Sequence, residues 1–215
     1  MIKVSYIDHL GSDLTTVNSA RVSFNKFKEE FDSSDEKLIK YLARHNHWTP
    51  FSHPQIQLKF DVPIFVSRQD FKHMIGFTRN EVSRRYVSDD PEFYEFNVFR
   101  TKPENSKQGS GEDMDAFMNG KWIMKQENWN QMALEMYQEA IVDGMAPEQA
   151  RAFLPQSMMT SYWVTGSLAA YARATNQRLD EHAQKEIGDV YKQVDGIIQP
   201  LFPVSWEALT NNATR

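Results

Sequence analysis

The chain has 215 residues, 40% of them hydrophobic, with 24 Lys and Arg against 29 Asp and Glu, a formal net charge of −5 and no cysteine. That length supports one sizeable core, expected as a single domain over residues 1–215. The acidic balance argues against a nucleic-acid polymer or an anionic membrane as partner, and zero cysteine excludes a disulfide, a thiolate nucleophile, an iron–sulfur cluster and Cys-ligated zinc.

Met1–Asp8 opens as a short apolar strand. Ser34–Arg44 reads as a helix with a Ser cap, an acidic first turn and apolar Leu38, Ile39, Tyr41 and Leu42, and the stretch His45–Phe51 breaks it. Ile56, Leu58 and Phe60 alternate with Gln57, Lys59 and Asp61, a half-buried strand, before Pro63 starts a helix expected to run to Met74. Glu92–Phe99 alternates like an edge or hairpin strand, and Pro103–Glu112 has the composition of a surface loop, with a low-complexity stretch near Ser106. From Asp113 to Asp143 the pattern is helical, with Trp129, Ala133, Met136, Tyr137, Ala140 and Ile141 on one stripe, and further helical runs cover Gly166–Ala174 and Asp180–Ile198. The expected fold is α+β, a mixed central sheet wrapped by long helices. No stretch approaches the roughly 20 apolar residues that span a bilayer, and the first residues lack the pattern of a secretory signal. A cytoplasmic protein is expected, in a host cytoplasm if virally encoded.

Charge is unevenly distributed. Between Arg68 and Tyr86 five Lys and Arg stand against two Asp and Glu, a local excess of 5 − 2 = +3. Arg presents a planar fork suited to phosphate or carboxylate, and His73, Asn80, Glu81 and Ser83 interleave polar groups for a heterocycle. The same composition also describes a solvated basic face. A second constellation joins Arg151, in ARAFLP, to Asn176–Gln184: if the latter is helical, Arg178 and His182 lie one turn apart on one face. Either Arg serves equally as a surface ion-pair partner, with Asp180 and Glu181 at hand. His45, His47 and His53 lack the helical spacing and Glu of a zinc hydrolase and are not expected to hold metal. Trp48 and Phe51 are open between ring surface for a ligand and core packing.

Taken in order, SARVSF (Ser19–Phe24), HWTPFSH (His47–His53), VPIFVSRQ (Val62–Gln69), NEVSRRY (Asn80–Tyr86), ARAFLP (Ala150–Pro155) and RLDEHAQ (Arg178–Gln184) resemble the flavin-dependent thymidylate synthases over nearly the whole chain. Those enzymes methylate dUMP without a cysteine. The family signature is Arg-His-Arg, seven residues, then Ser; here Lys72, His73 and Met74 form the triplet and eight residues, Ile75–Val82, precede Ser83. Arg79, inside the longer spacer, is positioned to compensate for the lost guanidinium. A family Asn-x-Arg is replaced by Ser167, Leu168 and Ala169, with Arg173 where an Asn is common.

The resemblance implies reductive methylation of dUMP to dTMP, with 5,10-methylenetetrahydrofolate as one-carbon donor and FAD, reduced by NADPH, as hydride source. It assigns Arg178 the catalytic role of stabilising negative charge on the pyrimidine so that C5 becomes nucleophilic without sulfur. Gln69, Lys72, Ser83, Arg84, Arg85, Arg151 and Arg178 are implied dUMP contacts. Thr49, Lys72, His73, Met74, Glu81, Ser167, Ala169 and Arg173 fall at flavin positions. His47 and His53 are expected to line the flavin and folate cleft, and the site is expected to combine subunits of a homotetramer. Ser83 is read as a hydrogen-bonding group, not a nucleophile, because no adjacent base is evident. Glu81 is read as an ionised partner of Arg79, Arg84 and Arg85. No Gly-rich dinucleotide fingerprint is present, so a Rossmann-like fold is not expected. A non-catalytic nucleotide-binding relative and a metal-dependent hydrolase remain as rivals.

Overall fold

The structure, a computed structural model, describes residues 1–87, 89–104 and 109–210; the low-complexity stretch around Ser106 lies outside them. Four strands, β1 (Lys3–Leu10), β2 (Gln55–Pro63), β3 (Phe77–Glu81) and β4 (Met159–Ser167), form one sheet in the order β1-β2-β4-β3. Every pairing is antiparallel, which corrects the expectation of a mixed sheet within the α+β class. The reason is positional. β2 and β3 run the same way across a helical crossover, but β4 returns later in the chain and lies between them, so no two parallel strands are neighbours.

β4 is the strand that the sequence reading missed, having assigned helix from Gly166, and α1 (Asp13–Arg21) and α8 (Pro203–Thr210) were not assigned either. The alternation of β4 is nonetheless clear: Thr160, Tyr162, Val164 and Gly166 are buried, while Trp163 on the other face is 46% exposed. In β2, Ile56, Leu58, Phe60 and Val62 face the same core, and Phe60 stacks on Tyr162 at a centroid distance of 5.2 Å. Helices cover that face. They are α1 (Asp13–Arg21), α2 (Ser33–Arg44), α6 (Leu168–Arg178), α7 (Lys185–Ile198) and α8 (Pro203–Thr210), with Ile39, Tyr171, Ile187, Val190, Tyr191, Val194 and Trp206 buried among them. Burial of each such side chain contributes about 1.5–3 kcal/mol. Between α2 and α6 in the sequence, α3 (Ile64–Asp70), α4 (Ala116–Val142) and α5 (Pro147–Ala150) complete the helices relevant to the site.

Three other expectations change. The cap of α2 is Asp32, whose carboxylate accepts from the amides of Ser34 and Asp35 at 2.8 and 3.3 Å, and not a serine. Glu92–Phe99 forms no strand: it makes one bridge, Phe93 with Met158, while Tyr94, Phe96 and Phe65 pack ring to ring. On α4 only part of the expected stripe is packed, since Ala133, Tyr137 and Ala140 are buried but Trp129 and Met136 are 57% and 49% exposed. No helix among the described residues is long and apolar enough to cross a membrane.

Gly166 marks the tightest point of the sheet. A Cβ there would lie 2.4 Å from Phe77 and 2.9 Å from Tyr171. Gly166→Ala should therefore lower the unfolding free energy by about 1–3 kcal/mol through overpacking, read as a shift in the urea midpoint.

Candidate active site

α3 ends at Asp70, four residues short of the expected Met74, where the amides of Lys72 and His73 bond three residues back, to Gln69 O at 3.4 Å and Asp70 O at 3.0 Å. The chain then turns, and Arg79 from β3 reaches into that turn. Its Nε donates to Asp70 Oδ2 at 2.9 Å, one terminal nitrogen to Asp70 O at 3.1 Å and the other to His73 O at 2.6 Å. The Phe77 and Phe71 rings flank the guanidinium at 4.7 and 5.4 Å. Asp70 is 1% exposed, and the Tyr191 hydroxyl donates to its second oxygen at 2.6 Å. Burial, then the Asp70 charge, pushes the Tyr191 phenol well above its ordinary range and keeps it a donor. Arg79 is thus engaged inside the protein, and the expectation that it supplies a ligand-facing guanidinium is corrected.

The same turn holds the last residue of α6. Arg178 donates from Nε to His73 Nε2 at 2.9 Å and from a terminal nitrogen to Gln69 O at 2.8 Å. Two contacts fix the plane of the guanidinium and leave its other N–H groups for a ligand. Burial first, then the Arg178 charge, lowers the His73 pKa to about 4. The ring is therefore neutral near pH 7, accepts at Nε2 and carries its proton on Nδ1. The Gln69 amide donates to Gln184 Oε1, whose own amide donates to Glu186 at 2.8 Å; Arg100 pairs with Glu186 at 2.7 Å. His182 does not join this group. α6 stops at Arg178, residues 179–184 form a turn in which the His182 amide donates to Asp180 at 2.9 Å, and the exposed imidazole lies beside Asp180 and Glu181.

A second group gathers around Arg68 of α3. Arg68, Glu81, Arg84, Glu148, Arg151 and Thr160 line a cavity of about 450 Å³. Glu81 accepts from the Thr160 hydroxyl at 2.7 Å and pairs with no arginine among the described residues, against expectation. Arg85 is exposed, 3.7 Å from Glu148. The Ser83 hydroxyl accepts from the Arg85 amide at 3.3 Å, and no base among the described residues is bonded to it. Arg68 and Glu148 escaped the sequence reading, although Arg68 is the first basic residue of the segment that it singled out.

The expected flavin positions divide. Lys72 and Met74 lie exposed on the turn after α3, and exposed Arg173 donates to Ile75 O at 2.6 Å. Ser167 is buried and caps α6 by accepting from the Ala170 amide at 3.2 Å, and Ala169 packs against the core. Thr49 stands apart, in a cleft of about 890 Å³ with Phe24, Tyr41, His47 and Trp48; His53 lines a neighbouring groove with Phe27. Trp48 is 64% exposed and Phe51 fully buried, which separates ring surface from core. Arg21, from SARVSF, bonds the buried Asp35 carboxylate together with Lys28. Burial pushes that carboxyl up, and its cationic and amide donors outweigh it and hold it below the ordinary value. No group of three or more metal-binding side chains gathers among the described residues.

The neutral His73 has a consequence for stability. Between pH 6.5 and about 4 the unfolded chain takes up a proton that the folded ring refuses, so this contribution is complete above pH 6.5 and is lost as pH falls to about 4. Across that window wild type should lose up to about 3 kcal/mol more than His73→Gln, measured by denaturant titration at each pH.

Comparison with known proteins bears on the family and the fold. The family model described as "Thymidylate synthase complementing protein" matches residues 5–204. The flavin-dependent thymidylate synthase of Wolbachia pipientis wMel is 35% identical over 212 residues, 95% of this chain and 72% of the relative; that of Kosmotoga olearia is 33% identical over 98% of this chain and 90% of the relative. The crystal structure of the UMP/dUMP methylase PolB from Streptomyces cacaoi, bound with 5-Br dUMP, superposes with a TM-score of 0.86 at 28% identity, covering 98% of this chain and 95% of that one. With the family model spanning nearly the whole chain and near full-length relatives above 30% identity, this chain belongs to the thymidylate synthase complementing protein family, that of the flavin-dependent thymidylate synthases.

Proposed function

We propose that this chain methylates dUMP to dTMP reductively, as a methyltransferase of nucleotide biosynthesis that works as one domain. 5,10-Methylenetetrahydrofolate is the one-carbon donor and FAD, reduced by NADPH, the hydride source. The observation that carries this reading is a guanidinium fixed by a neutral imidazole and a backbone carbonyl, in a protein with no cysteine to attack a pyrimidine. Its free N–H groups suit the N3 and O4 edge of uracil, where they stabilise the negative charge that makes C5 nucleophilic. Gln69 and Lys72 border that group, while Ser83, Arg84, Arg85 and Arg151 suit the nucleotide phosphate, with Arg68 added from the cavity.

The residues present fit a flavin. The Thr49 cleft offers the exposed rings of Phe24, Tyr41 and Trp48 with polar His47 beside them, a lining for a flat heteroaromatic group. Lys72, His73, Met74, Glu81 and Arg173 are further candidates to hold it; Ser167 and Ala169 are committed to capping and packing and would act through their backbone. When bound, a reduced flavin supplies hydride. The protein's part is to orient flat rings, exclude water and keep Arg178 in place.

Gln69, His73 and Arg178 do not line the cavity of Arg68, Arg84 and Arg151, which supports a site completed by residues of more than one subunit of a homotetramer. So does α4, which leaves Phe117, Trp122, Trp129 and Met132 between 40% and 80% exposed on one helix, an apolar surface large for a monomer. A cytoplasmic location follows from the substrates.

Purified protein should take up FAD with the absorbance of a bound flavin and oxidise NADPH in response to dUMP; UMP is the informative second substrate, given the likeness to PolB. Failure to bind flavin would favour a non-catalytic nucleotide-binding role. Arg178→Ala should abolish tritium release from C5-labelled dUMP while dUMP still binds, and undiminished release would reject the assignment. Arg151→Ala should weaken dUMP binding by about 1.5–3 kcal/mol in calorimetry, the worth of a charged hydrogen bond.

A further inference from the structure

We propose that Arg79, held by the buried Asp70, is a positioning residue for Arg178, acting through the His73 turn. The inference rests on the function proposed above. Every nitrogen of Arg79 contacts residues 70–73: the Asp70 carboxylate, the Asp70 carbonyl and the His73 carbonyl. Tyr191 fixes the far oxygen of Asp70. The backbone of His73 is thereby clamped between α3 and β3, and its ring meets Arg178 at 2.9 Å. Among the described residues Arg178 has one other anchor, the carbonyl of Gln69, which immediately precedes Asp70. Both anchors of the catalytic guanidinium therefore belong to the segment that Arg79 closes. Arg79 itself is 11% exposed between two phenyl rings, and each of its three nitrogens already donates to residues 70–73.

The effect is transmitted by position and not by charge on the substrate. A shift of about 1 Å in a catalytic group costs on the order of 100-fold in rate, so a loosened turn should depress chemistry and spare affinity. Arg79→Lys restores one ion pair but neither carbonyl contact. Asp70→Asn keeps the shape and a bond to Tyr191 but removes the charge that holds Arg79, and serves where the first variant folds poorly.

The test measures, in flavin-loaded protein, tritium release from C5-labelled dUMP at saturation together with the dUMP dissociation constant by calorimetry. Expected is a fall in release of about 100-fold with the dissociation constant within about threefold of wild type. Nitrogen-15 NMR of His73 gives a readout independent of turnover: wild type should hold one tautomer, protonated at Nδ1, and both variants should show a mixture. Weakened dUMP binding with normal release at saturation would make Arg79 a ligand contact and overturn the proposal. So would an unchanged tautomer in both variants. Absence of tritium release from wild type with a tautomer that responds to the variants would defeat the assigned reaction and leave the clamp standing.

Discussion

A carboxylate removed from water must be neutralised where it lies, and Asp70 sets this requirement at the end of α3. Taking away one member of such a buried pair costs about 3–5 kcal/mol because the other charge is left unpaired, so loss of Asp70 or Arg79 alone would remove a large part of a domain's net stability. The partners come from different elements. Their pairing brings β3 onto the turn that carries Lys72, His73 and Met74, and it fixes both halves of the basic segment relative to each other. The sheet, the long helices and the covered core give that turn its walls, and the ion pair gives it its shape.

Electrostatics then separates two kinds of arginine. Arg79 and Arg21 are bound to buried carboxylates and serve the fold. Arg178 faces a neutral imidazole and a carbonyl, partners that orient it without cancelling its charge. A carboxylate in the place of His73 would hold the guanidinium more tightly and weaken its field at a ligand. Burial of the imidazole, reinforced by the arginine beside it, keeps the ring in the state that can accept a hydrogen bond.

Much of the site was legible in the sequence, because charge clustering and motif order survive without coordinates. Within the segment from Arg68 to Tyr86, the side chains of Arg68, Glu81 and Arg84 line one cavity with Arg151, and Gln69 and His73 hold Arg178. Partner choice was not legible. Whether Arg79 faces a ligand or Asp70 depends on a turn closing three residues after a helix ends, and no periodicity encodes that. His182 failed for a related reason: the spacing suited a helix that Leu179 and Asp180 terminate. In the fold, β4 was hidden by a glycine and two small residues that resemble a helix start, although Thr160 to Thr165 alternate as a strand should. Glu92–Phe99 alternated too, but its rings pack on Phe65 and not into a ladder, so the period was real and the element was not.

The position of β4 also bears on biosynthesis. A nascent chain emerging from the ribosome can pair β1 with β2 early, yet among the described strands β3 bonds β4 alone, and β4 is made last, so β3 waits until translation has passed Ser167. Until then one side of β2 and both sides of β3 stay open, the kind of unsatisfied edge that invites pairing with another polypeptide. Such long-range closure slows folding and lengthens that exposure, so maturation of this protein should lean on chaperones more than its modest size implies.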